Sequence, residues 1–208
     1  VRFASGASAN ITGSQFEILG SPSATTTIAN QGSGTYTVSA AVSTTTFTYY
    51  DFDTLGASGV SLSGTGHIAS LDLGGFTPGI NTGTGLTVSV ALIDANPGLQ
   101  IYGVDFSTTT VISATNVTQN GGSPTSYWWF RNSLGNIDGE AFDSDTGDPG
   151  SIRWDDSSLS IQVGGVVYRS DEVTRMGSPV CDDVTHVVRI VVNGGSSYTG
   201  YCASSNGA

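Results

Sequence analysis

The sequence predicts an all-β protein in which a parallel β-solenoid is followed by a small antiparallel β unit. Three observations carry this prediction. Short alternating strands are separated by glycine-rich corners, helix-type apolar spacing is almost missing, and one aromatic residue recurs at an interval that suits a solenoid coil. The 208 residues are enough for one large β domain or two smaller ones with a real hydrophobic core.

The strands are indicated by β-branched or aromatic residues that alternate with polar ones. Such stretches occupy residues 35–38, 47–49, 86–90 and 187–192, and Gly, Asn-Gly or Pro-Gly sequences separate them. Side chains of a strand point alternately to its two faces, so these stretches are expected to bury one face.

An aromatic repeat predicts how the strands are stacked. Phe52 and Phe76 lie 24 positions apart, Phe76 and Phe106 lie 30 apart, and Phe130, 24 positions further, would continue the series. In a solenoid, equivalent side chains of successive coils form ladders, so these rings are expected to stack in one ladder. The alternative is an antiparallel β-sandwich, whose strands also recur at short intervals.

The chain divides into a solenoid region, residues 1–157, and a second unit, residues 158–208. In the second unit, residues 159–163 and 166–169 flank Gly164-Gly165, which is a direct hairpin signal. A further strand at 187–192 is followed by Asn-Gly-Gly and by another strand at 198–202. This unit is predicted to be a small antiparallel cap or part of a β-sandwich.

The charge pattern excludes several classes of partner. Only 11% of the residues are charged, lysine is absent, and the net charge is −11, so binding to nucleic acid or to anionic lipid is not expected. No apolar run approaches 18 residues, which argues against membrane insertion. An acidic surface rich in Thr, Ser and Gly is typical of secreted or cell-surface proteins.

Two cysteines, Cys181 and Cys202, flank a segment with a strong β pattern, and a disulfide between them is predicted. Closing a loop of about 20 residues contributes about 3 kcal/mol in the chain-entropy account. The alternative is a pair of buried thiols. Zinc is not expected, because the sequence has no Cys-x-x-Cys pair and no Cys/His group.

An acidic turn is the candidate metal site. Asp143, Asp145 and Asp148 are close together beside Gly147, and converging carboxylates are ligands that Ca²⁺ prefers. The pattern matches the twelve-residue calcium loop only in part. The alternative is a solvated turn in which Asp side chains cap backbone amides.

The aromatic run at 127–130, Tyr-Trp-Trp-Phe, is the candidate ligand-binding element. Alternation sends Trp128 and Phe130 to one side and Tyr127 and Trp129 to the other. One pair is expected in the core. The other could stack on a sugar ring or lie against a neighbouring subunit, so Trp128 and Trp129 are both candidates.

No catalytic centre is predicted. Paired carboxylates allow a glycosidase in principle, but residue pattern and fold alone do not supply function. The two histidines, His67 and His186, fall in different predicted units, and no Gly-x-Ser-x-Gly motif is present. A polysaccharide-degrading enzyme therefore stays only an alternative.

Residues 40–156 resemble the C-terminal part of the right-handed parallel β-helix repeats of large bacterial extracellular and cell-surface proteins. The resemblance is carried by Tyr-Asp-Phe at 50–52, by Val-Asp-Phe at 104–106, and by the segments 133–145 and 148–154. It implies a surface-exposed, adhesive or structural role.

These observations favour a non-enzymatic extracellular module, such as an adhesin repeat or a subunit of a surface filament or layer. A solenoid exposes strand edges at its ends, and such edges invite pairing with another copy. Residues 1–29 are the candidate surface for head-to-tail self-association. Surface glycans are the alternative partner.

Overall fold

A computed structural model of the chain describes residues 1–108, 113–147, 150–155, 187–192 and 196–201. The fold is all-β, with 56% strand and 6% helix, and it contains a parallel β-solenoid of about 5 turns and a separate small β-sheet. The predicted fold class is therefore confirmed.

The elements follow in chain order. The strands are β1 (Arg2–Phe3), β2 (Ser8–Leu19), β3 (Thr26–Asn30), β4 (Tyr36–Thr48), β5 (Tyr50–Leu62), β6 (His67–Asp72), β7 (Gly75–Pro78), β8 (Thr84–Ser89), β9 (Gln100–Tyr102), β10 (Asp105–Phe106), β11 (Thr115–Asn120), β12 (Trp128–Arg131), β13 (Ile152–Asp155), β14 (Val187–Val192) and β15 (Ser196–Tyr201). The helices are α1 (Val90–Ala95) and a 3₁₀ turn (Glu140–Phe142).

Contacts between residues divide the chain into two compact units, Val1–Leu159 and Ser160–Ala208. The sequence placed the division two positions earlier, after residue 157. In the second unit β14 and β15 pair antiparallel, with Val187 opposite Tyr201. The hairpin predicted at 159–169 lies outside the described residues.

The solenoid has three faces, each a ladder of parallel strands. We call them face A, face B and face C. On face A the aligned positions are Asn10, Ser39, Ser61, Thr87 and Thr118. On face B, Ile18 aligns with Phe47 and Leu71, and further along Ile101 aligns with Phe130 and Trp154. On face C the aligned positions are Ile28, Phe52, Phe76 and Phe106.

The core forms because every second residue of a strand points inward. In β4, Tyr36, Val38 and Ala40 are buried, whereas Thr37 and Ser39 between them are partly exposed. Tyrosine can enter this core only with a partner for its hydroxyl group. The Tyr36 hydroxyl donates to the carbonyl of Ile28 at 2.6 Å, which satisfies that requirement.

The predicted aromatic ladder is confirmed for three of its members. The rings of Phe52 and Phe76 stack with centroids 5.6 Å apart and planes 3° from parallel. Phe76 and Phe106 stack at 5.7 Å and 19°. All three side chains are fully buried.

The fourth predicted member, Phe130, was wrongly placed in this ladder. Phe130 aligns with Ile101 on face B rather than with Phe106 on face C. Its ring meets that of Phe106 edge-on at 5.5 Å, across the core. Between Phe106 and Phe130 the chain forms β11 on face A and then turns to face B. Phe130 therefore lies on face B, before the chain returns to face C.

The corner between faces B and C recurs in a single conformation. Tyr49, Leu73, Gly103 and Asn132 follow the face B strands of successive coils, and all have a left-handed backbone, with φ between 49° and 63°. Gly and Asn adopt this left-handed backbone conformation at little cost in free energy. At Tyr49 and Leu73 the same corner stores backbone strain.

Helix α1 was not predicted, because the alternating pattern of the preceding strand continues to Val90 in the sequence. The strand ends at Ser89, whose hydroxyl accepts a hydrogen bond from the Leu92 amide at 3.3 Å. Serine is a common N-cap residue, so Ser89 was the sequence signal that could have indicated the start of this helix. Leu92 and Ile93 are buried, so the helix closes the core before β9.

Candidate functional site

The structure separates the two tryptophans of the aromatic run. Trp128 is fully buried, and its Nε1 donates to the carbonyl of Asn96 at 3.1 Å. Trp129 faces outward and is partly exposed. The predicted alternation is therefore present, and of the two candidates only Trp129 is positioned to contact a ligand.

Trp129 belongs to an outward patch on face B, which we call the aromatic–arginine patch: Tyr127, Trp129, Arg131, Arg153 and Asp155. The guanidinium of Arg153 lies 3.9 Å from the ring centroid of Tyr127, and that of Arg131 lies 4.9 Å from the ring centroid of Trp129. Arg131 also forms an ion pair with Asp155. Cation–π contacts of this kind hold the rings in defined orientations.

The acidic turn is tied to the last described strand of the solenoid. Asp143 Oδ2 accepts a hydrogen bond from Trp154 Nε1 at 2.7 Å, and Asp145 Oδ2 accepts one from the Ile152 amide at 2.7 Å. Gly150 lies against Asp145, where a Cβ would come within 2.1 Å of both carboxylate oxygens. The turn therefore has a structural role whether or not an ion binds.

Calcium at this turn stays a prediction. Asp148 lies outside the described residues, and no group of three or more potential metal ligands is found among the residues that are described. Within the same part of the chain, the buried Oδ1 of Asp145 has no hydrogen-bond partner. The predicted disulfide partners, Cys181 and Cys202, also lie outside the described residues.

A second acidic group lies on face C. Asp51 and Asp105 flank Gly75 in neighbouring coils, and burial, followed by the charges of Asp53 and Asp105, raises the pKa of Asp51. Of the histidines, His67 is exposed at the start of β6, and His186 lies outside the described residues. The two are not brought together by anything that the structure describes.

The first coil, formed by β1 and β2, borders a feature that residue patterns did not locate. A cavity of about 330 Å³ opens there, lined mainly by apolar side chains that include Phe3, Ile11, Phe16 and Ile18. Val1 and Leu19 beside it are 75% and 59% exposed. The sequence placed residues 1–30 in the solenoid region without locating their strands. In the structure β1 pairs in register with β3, and β2 pairs in register with β4.

Among the described residues, the helices lack the length and the apolar character that a membrane-spanning helix requires. The chain matches no protein-family model, no curated protein and no solved structure.

Proposed function

We propose that this chain is a non-enzymatic structural or adhesive module of a bacterial extracellular or cell-surface protein, and that it associates with itself. The observation that carries the proposal is the packed interior of the solenoid. Phe52, Phe76 and Phe106 fill it with stacked rings at 5.6 and 5.7 Å, so the coils form a continuous core. A solenoid with such a core is suited to holding other groups apart and to presenting a binding surface.

The hydrogen bonds of the acidic turn also support a non-enzymatic role. Asp143 and Asp145 hydrogen-bond to Trp154 and to the Ile152 amide, so each carboxylate already supports the turn. A glycosidase needs two carboxyl groups free to act on either side of a sugar bond. The net charge of −11 and the absence of lysine from the sequence favour an extracellular location.

Two measurements test this proposal. Protease treatment of intact cells that express the protein should remove the chain while a cytosolic marker survives. Purified protein incubated with a panel of neutral and acidic polysaccharides should release no reducing ends. Protection of the chain in intact cells would refute the location, and sustained release of reducing ends would refute the non-enzymatic role.

Carbohydrate binding is the second candidate, and the aromatic–arginine patch favours it. Tyr127 is 38% exposed and Trp129 lies next to it, with ring centroids 6.2 Å apart. Exposed aromatic rings stack on the apolar faces of sugars, and neighbouring Arg and Asp side chains bind hydroxyl groups.

Affinity electrophoresis in polysaccharide gels tests this candidate. Wild-type protein should be retarded in at least one gel, and Trp129→Ala should restore free mobility. Phe142→Ala is the control, because Phe142 is also an aromatic residue, is 37% exposed and does not belong to the patch. Equal mobility of wild type and Trp129→Ala in every gel would remove carbohydrate binding through this patch.

A further inference from the structure

The aromatic–arginine patch carries more positive than negative charge, in contrast to the chain as a whole. The net charge of the sequence is −11, and all of its cationic side chains are arginines. Within residues 1–155 the arginines are Arg2, Arg131 and Arg153, and the last two belong to this patch. Asp155 is the one acidic member of the patch, and it forms an ion pair with Arg131. The positive charge of Arg153 is therefore not balanced within the patch.

Arg153 is held by contacts that leave part of its guanidinium group unused. The guanidinium lies 3.9 Å from the ring centroid of Tyr127 and 5.7 Å from that of Trp129. Its Nε donates to the carbonyl of Gly150 at 3.3 Å. Among the described residues Arg153 has no ion pair and no other hydrogen bond, so both terminal nitrogens are available to a ligand. A guanidinium group binds a carboxylate through two parallel hydrogen bonds.

The two aromatic rings of the patch provide surface for a sugar ring. Tyr127 is 38% exposed and Trp129 is partly exposed. Their ring planes are 89° apart, with centroids separated by 6.2 Å, so the two rings form an angle beside Arg153. The exposed parts of such rings can contact the apolar face of a sugar while an adjacent charged group binds a substituent on the same sugar.

The composition of the patch favours a small ring-shaped ligand over a protein partner. Stable protein interfaces use about 20–30 residues on each side, around a centre that is depleted of charged residues. In this patch Arg131, Arg153 and Asp155 are charged and lie directly against the rings or against each other. A small-molecule site needs only apolar surface and a few polar groups that fix the orientation of the ligand.

The charge of the chain also restricts which anions fit. Exposed charges beyond about 8 Å are largely screened at physiological ionic strength, so a carboxylate at the patch responds mainly to Arg153. A single unbalanced arginine does not provide the several phosphate contacts on which nucleic-acid binding depends. Ring contacts must therefore contribute to binding, and they require an anion that carries an apolar ring face.

We infer that the aromatic–arginine patch binds an acidic polysaccharide, through sugar residues that carry a carboxylate on the ring. This inference rests on carbohydrate binding, the second candidate of the proposed function, and adds the chemical class of the ligand. Arg153 forms two hydrogen bonds with the sugar carboxylate, and the exposed parts of the Tyr127 and Trp129 rings contact the sugar ring. Arg131 stays paired with Asp155 and supports the Trp129 ring, 4.9 Å from its centroid.

Affinity electrophoresis in gels that contain polygalacturonate, alginate or hyaluronan tests the ligand class, with the carboxyl-reduced form of each polymer as the matched neutral gel. At least one acidic polymer should bind the protein about tenfold more tightly than its reduced form does. Binding to the reduced forms that equals or exceeds binding to the acidic polymers would refute the role of the carboxylate and leave carbohydrate binding standing. Free mobility in every gel would refute both.

Competition tests whether a sugar ring is required. Polyaspartate carries carboxylates without sugar rings, so an excess of it should not release the bound polysaccharide, whereas oligosaccharides of the same acidic polymer should. Release by polyaspartate as well would make the patch a general anion site and overturn an acidic sugar as its ligand.

Arg153→Gln tests the contact on which the ligand class depends. It should weaken binding to the acidic polymer about tenfold and leave binding to the reduced polymer within about threefold of wild type. Arg2→Gln is the control, since it makes the same charge change at an exposed position of β1 and should leave both affinities unchanged. Equal effects of Arg153→Gln and Arg2→Gln on binding to the acidic polymer would refute a site at Arg153.

Arg153→Lys separates the paired hydrogen bonds from the charge. Lysine keeps the positive charge but loses the planar group that binds a carboxylate at two points and stacks on Tyr127. Affinity for the acidic polymer should fall at least about threefold. Circular dichroism checks that each variant keeps the β-sheet fold of wild type. Wild-type affinity in folded Arg153→Lys would overturn the two-hydrogen-bond contact.

Discussion

Replacing Phe76 by alanine should be the most damaging single truncation in the aromatic ladder. Phe76 is fully buried, and its ring centroid lies 5.3 Å from that of Tyr50, 5.6 Å from that of Phe52 and 5.7 Å from that of Phe106. Truncation of a buried phenylalanine costs about 3–5 kcal/mol, and each aromatic contact adds about 0.5–1.5 kcal/mol to simple burial. With three ring partners, we expect a loss of about 4–5 kcal/mol, at the upper end of that range.

Guanidinium-induced unfolding, followed by circular dichroism and by tryptophan fluorescence, measures this loss. Phe142→Ala is the control, because Phe142 is 37% exposed and its truncation should cost less than about 1 kcal/mol. Phe76→Leu should fall between the two and gives a soluble comparison if Phe76→Ala aggregates. A loss below about 1.5 kcal/mol for Phe76→Ala would refute the stacked core as the main source of stability.

Three further predictions follow from particular sites. Because burial and neighbouring carboxylates raise the pKa of Asp51 above 3.8, its contribution to stability falls as pH rises through the folded-state pKa. Asp51→Asn should therefore be about 0.2–1 kcal/mol more stable than wild type at pH 7, with no difference at a pH well below 3.8 in paired urea titrations. Leu73 has φ 57°, so Leu73→Asn should be about 1 kcal/mol more stable than Leu73→Ala in thermal unfolding, and equal midpoints would argue against strain at this corner. Calcium binding at the acidic turn predicts a higher thermal midpoint on adding Ca²⁺ and no such shift in Asp145→Asn; an identical midpoint of wild type with calcium and with chelator would exclude a stabilising ion.

The number of residues per coil could be predicted from the sequence, because a ladder of stacked side chains needs the same kind of residue at the equivalent position of each coil. Phe52, Phe76 and Phe106 satisfied that requirement and predicted both the stacking and the fold class. Phe130 was assigned to the wrong ladder, because its separation in sequence from Phe106 does not show which face of the solenoid the chain has reached. A loop of different length can therefore bring an aromatic residue to another face at the same interval.

The candidate surfaces were predictable only in part. Alternation indicated that Trp128 and Trp129 point to opposite sides, but which of them enters the core depends on where face B closes against Asn96. The strands of the first coil were not located from the sequence, because β2 contains several Ser, Thr, Asn and Gly residues and only its pairing with β4 reveals its inward side.

By itself, the sequence determined the alternation, the acidic lysine-free surface and the spacing of the aromatic rings, because each is a property of residue order or composition. Only the tertiary structure decided which tryptophan faces solvent, where α1 interrupts the ladder, and that apolar side chains of the first coil line a cavity. These features depend on which strands become neighbours, and parallel pairing joins residues that are 19 to 31 positions apart in the chain.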